Sequence, residues 1–380
     1  MNKTLTGRIL LNDDSYKSDN IKAIEAKVEA QKIAFSPLTF QAVRALLSLS
    51  ILKVIEEAGE EGLTINDIAR KTDISEYGTA VLCEIALGMG VLRLTKDSKC
   101  ASDEKFILGK TGWMLLEDDL TKANFNFVND ICYKGAFNLT ESVKTGKPEG
   151  LKVFGDKWTT IYEALSSLPD KERKSWFEFD HFYSDIAFPE ALPIVFASNP
   201  RHILDIGGNT AKWAIACCSY NQDVTVTIVD LPGQTAVARE NAKKAGFDKR
   251  IHTCDGNILK SETHLPEAPD AVWMSQFLDC FSLDQVTKIL GKVYECAADS
   301  TLVYVLEPLW DRQKFIGESY ALQATSLYFT CMANGNSKMY RYEELVNAVE
   351  KAGFELKTAH HNLGSNSYSL LVFKKVRKES

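Results

Sequence analysis

The sequence predicts an α/β fold, in which a doubly wound parallel sheet follows a mainly helical N-terminal domain of the winged-helix type. From His202 onward, short apolar runs alternate with helical stretches, as in parallel sheets covered by helices on both faces. Between residues 21 and 57, apolar side chains recur every three or four positions, which is typical of helices with one buried face. Two short helices and two apolar runs follow, and they predict a helix-turn-helix with a wing.

Each of the two short helices is preceded by a typical N-cap residue. Thr64 precedes Asp67 by three residues, and Ser75 precedes Glu76, so each offers a side-chain oxygen to free backbone N–H groups. The predicted wing consists of the runs 91–94 and 106–108 with a polar turn at 96–99.

The next segment, residues 111–195, reads as mainly helical, with breaks at residues 146–150 and at Pro169, because glycine and proline interrupt helices. We expect this segment to bridge two domains. The predicted domains are residues 1–178 and residues 179–380.

The C-terminal half contains the strands of the predicted sheet. Two final runs, 355–360 and 368–373, lie on either side of a Gly-Ser-Asn turn at 364–366, so they predict an antiparallel hairpin at the edge of the sheet. The four apolar runs expected to form parallel strands are 203–206, 224–229, 271–274 and 302–306.

Composition excludes several classes of function. The net charge of -7 is spread along the 380 residues without a basic block, which argues against nucleic-acid and anionic-membrane binding. The nine cysteines show no CxxC spacing, so reduced thiols are favoured over disulfides or a metal site. No apolar run reaches the roughly 18 residues of a membrane span, and the first residues lack a signal-type stretch. We therefore expect a cytoplasmic protein.

A glycine turn follows the first strand of the predicted sheet. Gly207 and Gly208 let a ligand approach the backbone closely. A dinucleotide fingerprint would need glycines two and five residues after Gly207, where Asn209 and Lys212 stand, so NAD is disfavoured. Asp205 would repel a phosphate but attract an ammonium group. S-adenosylmethionine carries such a group, and it is the predicted cofactor.

The ends of the next two strands carry polar side chains. Asp230 follows the run 224–229, and a carboxylate there can accept hydrogen bonds from both ribose hydroxyls. Asp255 and Asn257 follow the third strand, where an oxygen of either side chain can accept a hydrogen bond from an adenine amino group. The alternative is that each residue only caps a helix or turn.

The glycine turn, the Asp230-Leu231-Pro232 motif and the winged helix together resemble the small-molecule, S-adenosylmethionine-dependent O-methyltransferases. This family includes plant caffeic-acid-type and bacterial polyketide-tailoring enzymes. The resemblance runs from about residue 30 to 375. It implies a Rossmann-like class I methyltransferase domain, a winged-helix dimerisation domain, a homodimer, and an aromatic or polyketide-like small-molecule acceptor.

The resemblance also implies roles for individual cofactor-site residues. Either Asp255 or Asn257 can take the place of the acid at the adenine site. Ser275 stands where the family has a lysine near the adenine. The remaining matches are Asp205, Gly207 and Gly208 at the methionine end, Asp230 and Leu231 at the ribose, and Gly256, Asn257 and Ile258 at the adenine.

At the catalytic positions the sequence departs from the family. Asp279 stands where the family has its catalytic histidine; Glu307 matches one flanking acid, and Met339 replaces the other. An ordinary aspartate, with a pKa of about 3.9, is a poor base for a phenol of about 10, although burial raises it. Three hypotheses follow: Asp279 is a base of raised pKa helped by Glu307; the acceptor is acidic, or an activated carbon, and needs little help; or methyl transfer has been lost.

Four further residues fall on positions that line the acceptor pocket by resemblance. They are His181, Tyr183, Thr330 and Asn334, and His181 is a candidate replacement base. Such residues are also common as core or capping residues.

Two functions other than methyl transfer fit parts of the sequence. A transcription regulator would use the helix at 75–88 to contact DNA, but this helix contains Glu76 and Glu84 and no lysine or arginine, so it would repel phosphates. Dimerisation is the better use of that domain. A cofactor-binding protein without methyl transfer would share the fold and differ only at the acceptor site.

Overall fold

A computed structural model describes residues 10–11, 15–17, 19–96 and 104–377; for residues 181–185 it describes the backbone only. The chain divides into two compact units, Tyr16–Asn126 and Phe127–Ser380 with Met1–Ser15. The predicted domain division at residue 178 stays a prediction. In the described residues no single helix is long and apolar enough to cross a membrane. Two helical segments, Ala23–Ser48 and Ile51–Glu61, reach that length and apolar composition only when they are counted together, and the chain bends by 63° between them.

The unit Tyr16–Asn126 contains the predicted helices and both strands of the wing. Thr64 and Asp67 form the expected capping box, and the Ser75 hydroxyl accepts from the Gly78 N–H. The two strands pair antiparallel, while the predicted polar turn 96–99 extends beyond the described residues. The elements are α1 (Ala23–Ser48), α2 (Ile51–Ala58), α3 (Ile65–Thr72), α4 (Glu76–Gly88), β1 (Leu92–Leu94), β2 (Phe106–Leu108), α5 (Lys110–Glu117) and α6 (Asp119–Phe127).

The core of this unit forms where the helices meet the wing. Leu46 of α1, Ile55 of α2, Ile68 of α3 and Phe106 of β2 are all buried in one apolar cluster. From about residue 40 onward the three-and-four spacing therefore marks buried helix faces, as predicted, whereas the apolar residues in the first half of α1 are exposed in the single chain.

Residues 128–196 are mainly helical, as predicted, and are interrupted by short turns. A π-helical turn, Val128–Cys132, continues directly from α6. The helices are α7 (Leu139–Thr145), α8 (Ile161–Ala164), α9 (Asp170–Ser184) and α10 (Phe188–Phe196).

The remainder of the chain forms a seven-stranded sheet with order β5-β4-β3-β6-β7-β9-β8. The first five strands in this order are parallel, and β8 and β9 form an antiparallel hairpin at one edge. Both predictions are confirmed. The elements are β3 (His202–Ile206), α11 (Lys212–Tyr220), β4 (Thr225–Asp230), α12 (Pro232–Lys244), β5 (Ile251–Asp255), β6 (Ala271–Ser275), α13 (Leu283–Cys296), β7 (Leu302–Glu307), α14 (Ile316–Tyr328), α15 (Tyr342–Lys351), β8 (Phe354–Leu363) and β9 (Tyr368–Lys375).

The strand order reverses between β3 and β6, because the chain first builds outward through β4 and β5 and then returns to the other side of β3. In open α/β sheets this switch point leaves a crevice at the carboxyl ends of the strands, where ligands bind. The residues directly after β3, β4, β5 and β6 are therefore the ones that the fold brings to a binding site.

Candidate active site

The glycine turn after β3 brings the main chain against a neighbouring aromatic ring. Gly207 has φ +79°, and a Cβ at this position would lie 2.2 Å from Cδ2 of Phe277. A Cβ on Gly208 would lie 2.6 Å from the Asp205 carboxylate. Asn209 also has a positive φ of 45°, a conformation that non-glycine residues rarely adopt. The turn is thus tight and strained, and a side chain at either glycine position would clash with its neighbours.

Asp230 joins this turn to the end of β4. Its carboxylate accepts from the Asn209 N–H at 2.9 Å and from the Leu231 N–H at 2.7 Å. Burial raises the pKa of Asp230, while these two N–H groups act in the opposite direction. Carboxylate oxygens hold two lone pairs each, so both can still accept hydrogen bonds from a ligand.

A cavity of about 440 Å³ opens at the carboxyl ends of the strands. One end is formed by the segments that follow β3 to β6, and the other by residues from α8, α9 and α14. The lining residues at the first end include Gly207, Asn209, Asp230, Leu231, Gln234, Gly256, Asn257, Ile258, Gln276 and Phe277. This volume lies in the range of small-molecule and cofactor sites.

The two candidates for the adenine position differ in their surroundings. Asn257 is among the residues that line the cavity, and its Oδ1 accepts from the Leu259 N–H at 3.0 Å. Asp255 is exposed and accepts from the Thr235 hydroxyl at 2.6 Å and from Arg239 Nη1 at 3.0 Å. Of the two, Asn257 has the access that an adenine contact requires.

A smaller cavity of about 70 Å³ lies beneath the glycine turn and has Asp180, Gly207, Asn209 and Gln276 in common with the larger one. Three side chains that line it have buried oxygens without a hydrogen-bond partner in the described structure: Asp205 Oδ2, Ser275 Oγ and Gln276 Oε1. Ser275 therefore lies near Asp205, and it does not line the larger cavity with Asn257.

The buried Asp205 carboxyl dominates the electrostatics of the smaller cavity. Burial, and then the nearby charge of Asp230, raise its pKa to about 8. The ring nitrogens of Trp213 and Trp273 are also buried without a partner among the described residues. Unsatisfied acceptors and donors side by side match a zwitterionic group that carries both an ammonium and a carboxylate. The methionine end of S-adenosylmethionine is such a group, so the residues fit the predicted cofactor.

Asp279 and Glu307 form a buried carboxyl pair beside the larger cavity, which Asp279 lines. Glu307 Oε1 accepts from the Phe277 N–H at 3.0 Å and the Leu278 N–H at 2.8 Å, while its Oε2 has no partner in the described structure. Burial raises the pKa of both groups well above the ordinary range, and the charge of Asp279 raises that of Glu307 further. Such a pair holds a proton at neutral pH.

The far end of the larger cavity has aromatic walls. The Trp176 ring N–H donates to the Tyr328 hydroxyl at 2.7 Å, which fixes both rings. Met339 also lines this end and is buried, so an apolar side chain occupies the position where the family has a second acid. The aromatic lining residues of the whole cavity are Tyr162, Trp176, Phe179, Phe277, Phe281, Tyr328 and Phe329.

The four predicted acceptor-pocket residues have different outcomes. Asn334 lines the cavity, but its side chain is occupied by Cys280 O, the Ser337 hydroxyl and two backbone N–H groups. Thr330 is not among the lining residues, and its hydroxyl donates to Ser326 O at 2.9 Å within the helical turn. The side chains of His181 and Tyr183 lie outside the described residues.

Sequence reasoning missed Tyr162, Trp176 and Gln276. The first two belong to the bridging helices, where nothing in the local pattern distinguishes a cavity wall from a core face. Gln276 had a usable signal, because it directly follows β6 at the switch point of the sheet. In the described residues no cluster of three or more His, Cys, Asp or Glu side chains is arranged to hold a metal ion.

Comparison with known families now complements this geometry. A profile described as a Dimerisation2-like domain matches residues 27–99, and one described as an O-methyltransferase domain matches residues 137–355, more than half of the chain. The chain belongs to the O-methyltransferase family. The chain is therefore a methyltransferase that uses S-adenosylmethionine, as the resemblance implied.

Individual relatives of this O-methyltransferase are distant. It is 22% identical over 328 residues to the L-tyrosine C(3)-methyltransferase of Streptomyces lavendulae, a match that covers 86% of each chain. It is 28% identical over 180 residues to a 3-hydroxy-5-methyl-1-naphthoate 3-O-methyltransferase of Streptomyces sahachiroi, which covers 47% of this chain and 50% of the relative.

Solved structures share the fold. The S-adenosylmethionine-dependent methyltransferase SibL, in its apo form, matches with a TM-score of 0.68 at 21% identity, over 91% of this chain and 98% of that one. The human N-acetylserotonin methyltransferase complex with S-adenosylmethionine matches with a TM-score of 0.64 at 17% identity, over 95% and 100%. The class I methyltransferase architecture is thus confirmed.

Proposed function

We propose that this O-methyltransferase transfers a methyl group from S-adenosylmethionine to a ring hydroxyl of a small aromatic or polyketide-like acceptor. One observation carries the proposal: a single cavity joins the glycine turn and Asp230 to an aromatic chamber that contains the buried carboxylate of Asp279. Cofactor and acceptor would then lie end to end, as an in-line displacement requires.

The cofactor side divides into three contacts. Asp230, beside Leu231, accepts hydrogen bonds from the ribose hydroxyls. Asp205, Ser275 and the glycine turn hold the methionine end, because their unsatisfied oxygens suit an ammonium group. Gly256, Asn257 and Ile258 line the adenine position, and Asn257 takes the place of an acid there because Asp255 is held by Arg239.

At the acceptor end, Asp279 accepts the proton of the reacting hydroxyl. Its raised pKa makes it a stronger base than an exposed aspartate. Glu307 keeps the main chain of residues 277 and 278 in place through its two hydrogen bonds. When bound, S-adenosylmethionine supplies a methyl group on a cationic sulfur, and the sulfur keeps the bonding electron pair as the methyl leaves.

Methylation of an activated ring carbon is the second candidate. The relative that covers 86% of this chain is named for C-methylation of tyrosine. The same pocket serves both reactions, since Asp279 can remove a phenol proton and leave an electron-rich ring. In the carbon case the methylated ring carbon then loses its proton and the oxygen regains one, which restores the aromatic ring and the hydroxyl. The two outcomes differ in the product, because an O-methyl ether has lost its ionisable hydroxyl and a C-methyl phenol has kept it.

The assembly and location complete the proposal. The unit that matches the Dimerisation2-like domain carries a homodimer interface, and the protein acts in the cytoplasm. Residues 179–380 bind the cofactor, while residues 1–178 carry dimerisation and also contribute Tyr162 and Trp176 to the acceptor chamber.

Incubation with isotopically labelled S-adenosylmethionine and a metabolite extract tests the proposal. The expected product is an aromatic metabolite that carries one labelled methyl group. If the protein binds the cofactor but no labelled product forms in any of the extracts, methyl transfer has been lost.

A further inference from the structure

Tyr162 brings a buried hydroxyl to the acceptor end of the larger cavity. It belongs to α8, and it lines the chamber with Asp279 and Cys280. Its oxygen is inaccessible to solvent and makes no hydrogen bond of ordinary geometry in the described structure. A buried hydroxyl without a partner lowers the stability of a fold by about 1–3 kcal/mol. A ligand that accepted a hydrogen bond from Tyr162 would remove this penalty.

The surroundings of Tyr162 keep it protonated. Burial, followed by the nearby Cys280, Tyr328 and Asp279, raises its pKa well above the ordinary value. The neighbouring Cys280 thiol is only a weak acceptor. Tyr162 therefore has a proton to donate, and no strong acceptor among the described residues receives it.

Two other polar groups at this end of the cavity already have partners. The Tyr328 hydroxyl accepts from Trp176, and the Asn334 amide is bonded to Cys280 O and Ser337. Among the described lining residues, Tyr162 is a donor and Asp279 an acceptor that this end of the cavity can offer to a ligand. Both groups neighbour the Cys280 thiol, which donates to Asp279 Oδ1 at 3.4 Å and lies beside the Tyr162 hydroxyl, so they are close enough to meet neighbouring atoms of one acceptor.

We propose that Tyr162 is a positioning residue, whose hydroxyl donates a hydrogen bond to an uncharged oxygen on the ring carbon next to the reacting hydroxyl. The inference rests on the proposed function, since it takes Asp279 as the group that faces the reacting hydroxyl. It names the acceptor class: an aromatic ring with a hydroxyl beside a carbonyl, ether or second hydroxyl. An anionic substituent is disfavoured, because Asp279 and Glu307 carry negative charge once they lose their protons.

Guaiacol and ortho-ethylphenol form a matched pair of probes. Both are phenols of similar size, but guaiacol has an ether oxygen where ortho-ethylphenol has a methylene group. Affinities are measured by calorimetry on the full-length protein saturated with S-adenosylhomocysteine, for the wild type, Tyr162→Phe and Tyr294→Phe. Tyr294 is the control, because its hydroxyl donates to Val376 O away from the cavity.

The wild type and Tyr294→Phe should bind guaiacol about tenfold more tightly than ortho-ethylphenol, and Tyr162→Phe should bind the two within about twofold. An equal loss of affinity for both phenols in Tyr162→Phe would indicate a structural role only and overturn the inference. So would a wild type that binds neither phenol or does not discriminate between them.

The same samples distinguish this inference from the proposed function. When S-adenosylmethionine replaces S-adenosylhomocysteine, methylated guaiacol should accumulate. Discrimination that depends on Tyr162, without any methylated product, would support the hydrogen-bond role and count against methyl transfer.

Discussion

Asp279 is the residue at which the chain departs most from its family resemblance. An exposed aspartate would be nearly useless as a base toward a phenol. The structure changes this assessment, because the side chain is only 4% exposed and its pKa is raised by burial. The sequence identified the position, whereas the burial depends on aromatic and apolar residues that are distant along the chain.

Replacement of Asp279 by asparagine tests its role as the base. The wild-type kcat should rise with pH through the raised pKa, because only the deprotonated carboxylate accepts a proton. Asp279→Asn should lower kcat by about 100-fold or more and flatten the profile. Initial rates across the neutral pH range measure both effects, with affinity for S-adenosylhomocysteine as the control. Unchanged turnover would remove Asp279 from the mechanism.

Among the elements, the loop after β6 depends on the end of β7. Glu307 accepts from two N–H groups of this loop, one buried and one partly buried, through a single oxygen. Glu307→Gln keeps that oxygen, so the fold and most of the activity should survive. Glu307→Ala leaves both N–H groups unsatisfied and should lower the free energy of unfolding by about 2–4 kcal/mol. Denaturant unfolding compares the two, and equal stability would contradict this role.

The glycine turn after β3 gives a second prediction. Gly207→Ala adds a Cβ against the Phe277 ring at a positive φ, so it should destabilise the protein by about 1–3 kcal/mol and weaken cofactor binding. Gly233 is the control, because a Cβ there meets nothing within 4 Å, and Gly233→Ala should leave stability unchanged or raise it slightly. Similar melting temperatures for the two variants would argue against a constrained turn.

The elements differ in how well the sequence predicted them. Apolar runs and capping residues identified the strands and the helix starts, because these signals are local. The register of the final hairpin includes shifts between Leu356 and Thr358 and between His360 and Leu363, which arise from pairing with β9. Tyr162 and Trp176 could not be assigned to the site, since only tertiary contacts bring α8 and α9 to the sheet.

For the whole molecule, the proposed dimer has a candidate surface on α1. Ile24, Val28, Phe35 and Leu38 follow helical spacing, and Ile24 and Leu38 are 67% and 69% exposed in the single chain. An apolar stripe of this kind marks an interaction site. The sequence predicted helices here, although the same periodicity could not distinguish a core face from an interface.

Charge on this stripe should dissociate the dimer. Sedimentation velocity should show a dimer for the wild type and for Lys27→Glu, and a monomer for Phe35→Glu combined with Leu38→Glu, because buried unpaired carboxylates are strongly unfavourable. A monomeric wild type, or a doubly substituted protein that remains dimeric, would contradict the assignment.

We propose above all that acidic side chains at the carboxyl ends of the parallel strands bind S-adenosylmethionine. Calorimetric titration with S-adenosylhomocysteine tests it most directly, using wild type, Asp230→Asn and the exposed control Asp223→Asn. We expect one site per chain, an affinity about tenfold or more weaker in Asp230→Asn, and no change in Asp223→Asn. No binding to the wild type, or equal affinity in all three proteins, would contradict it.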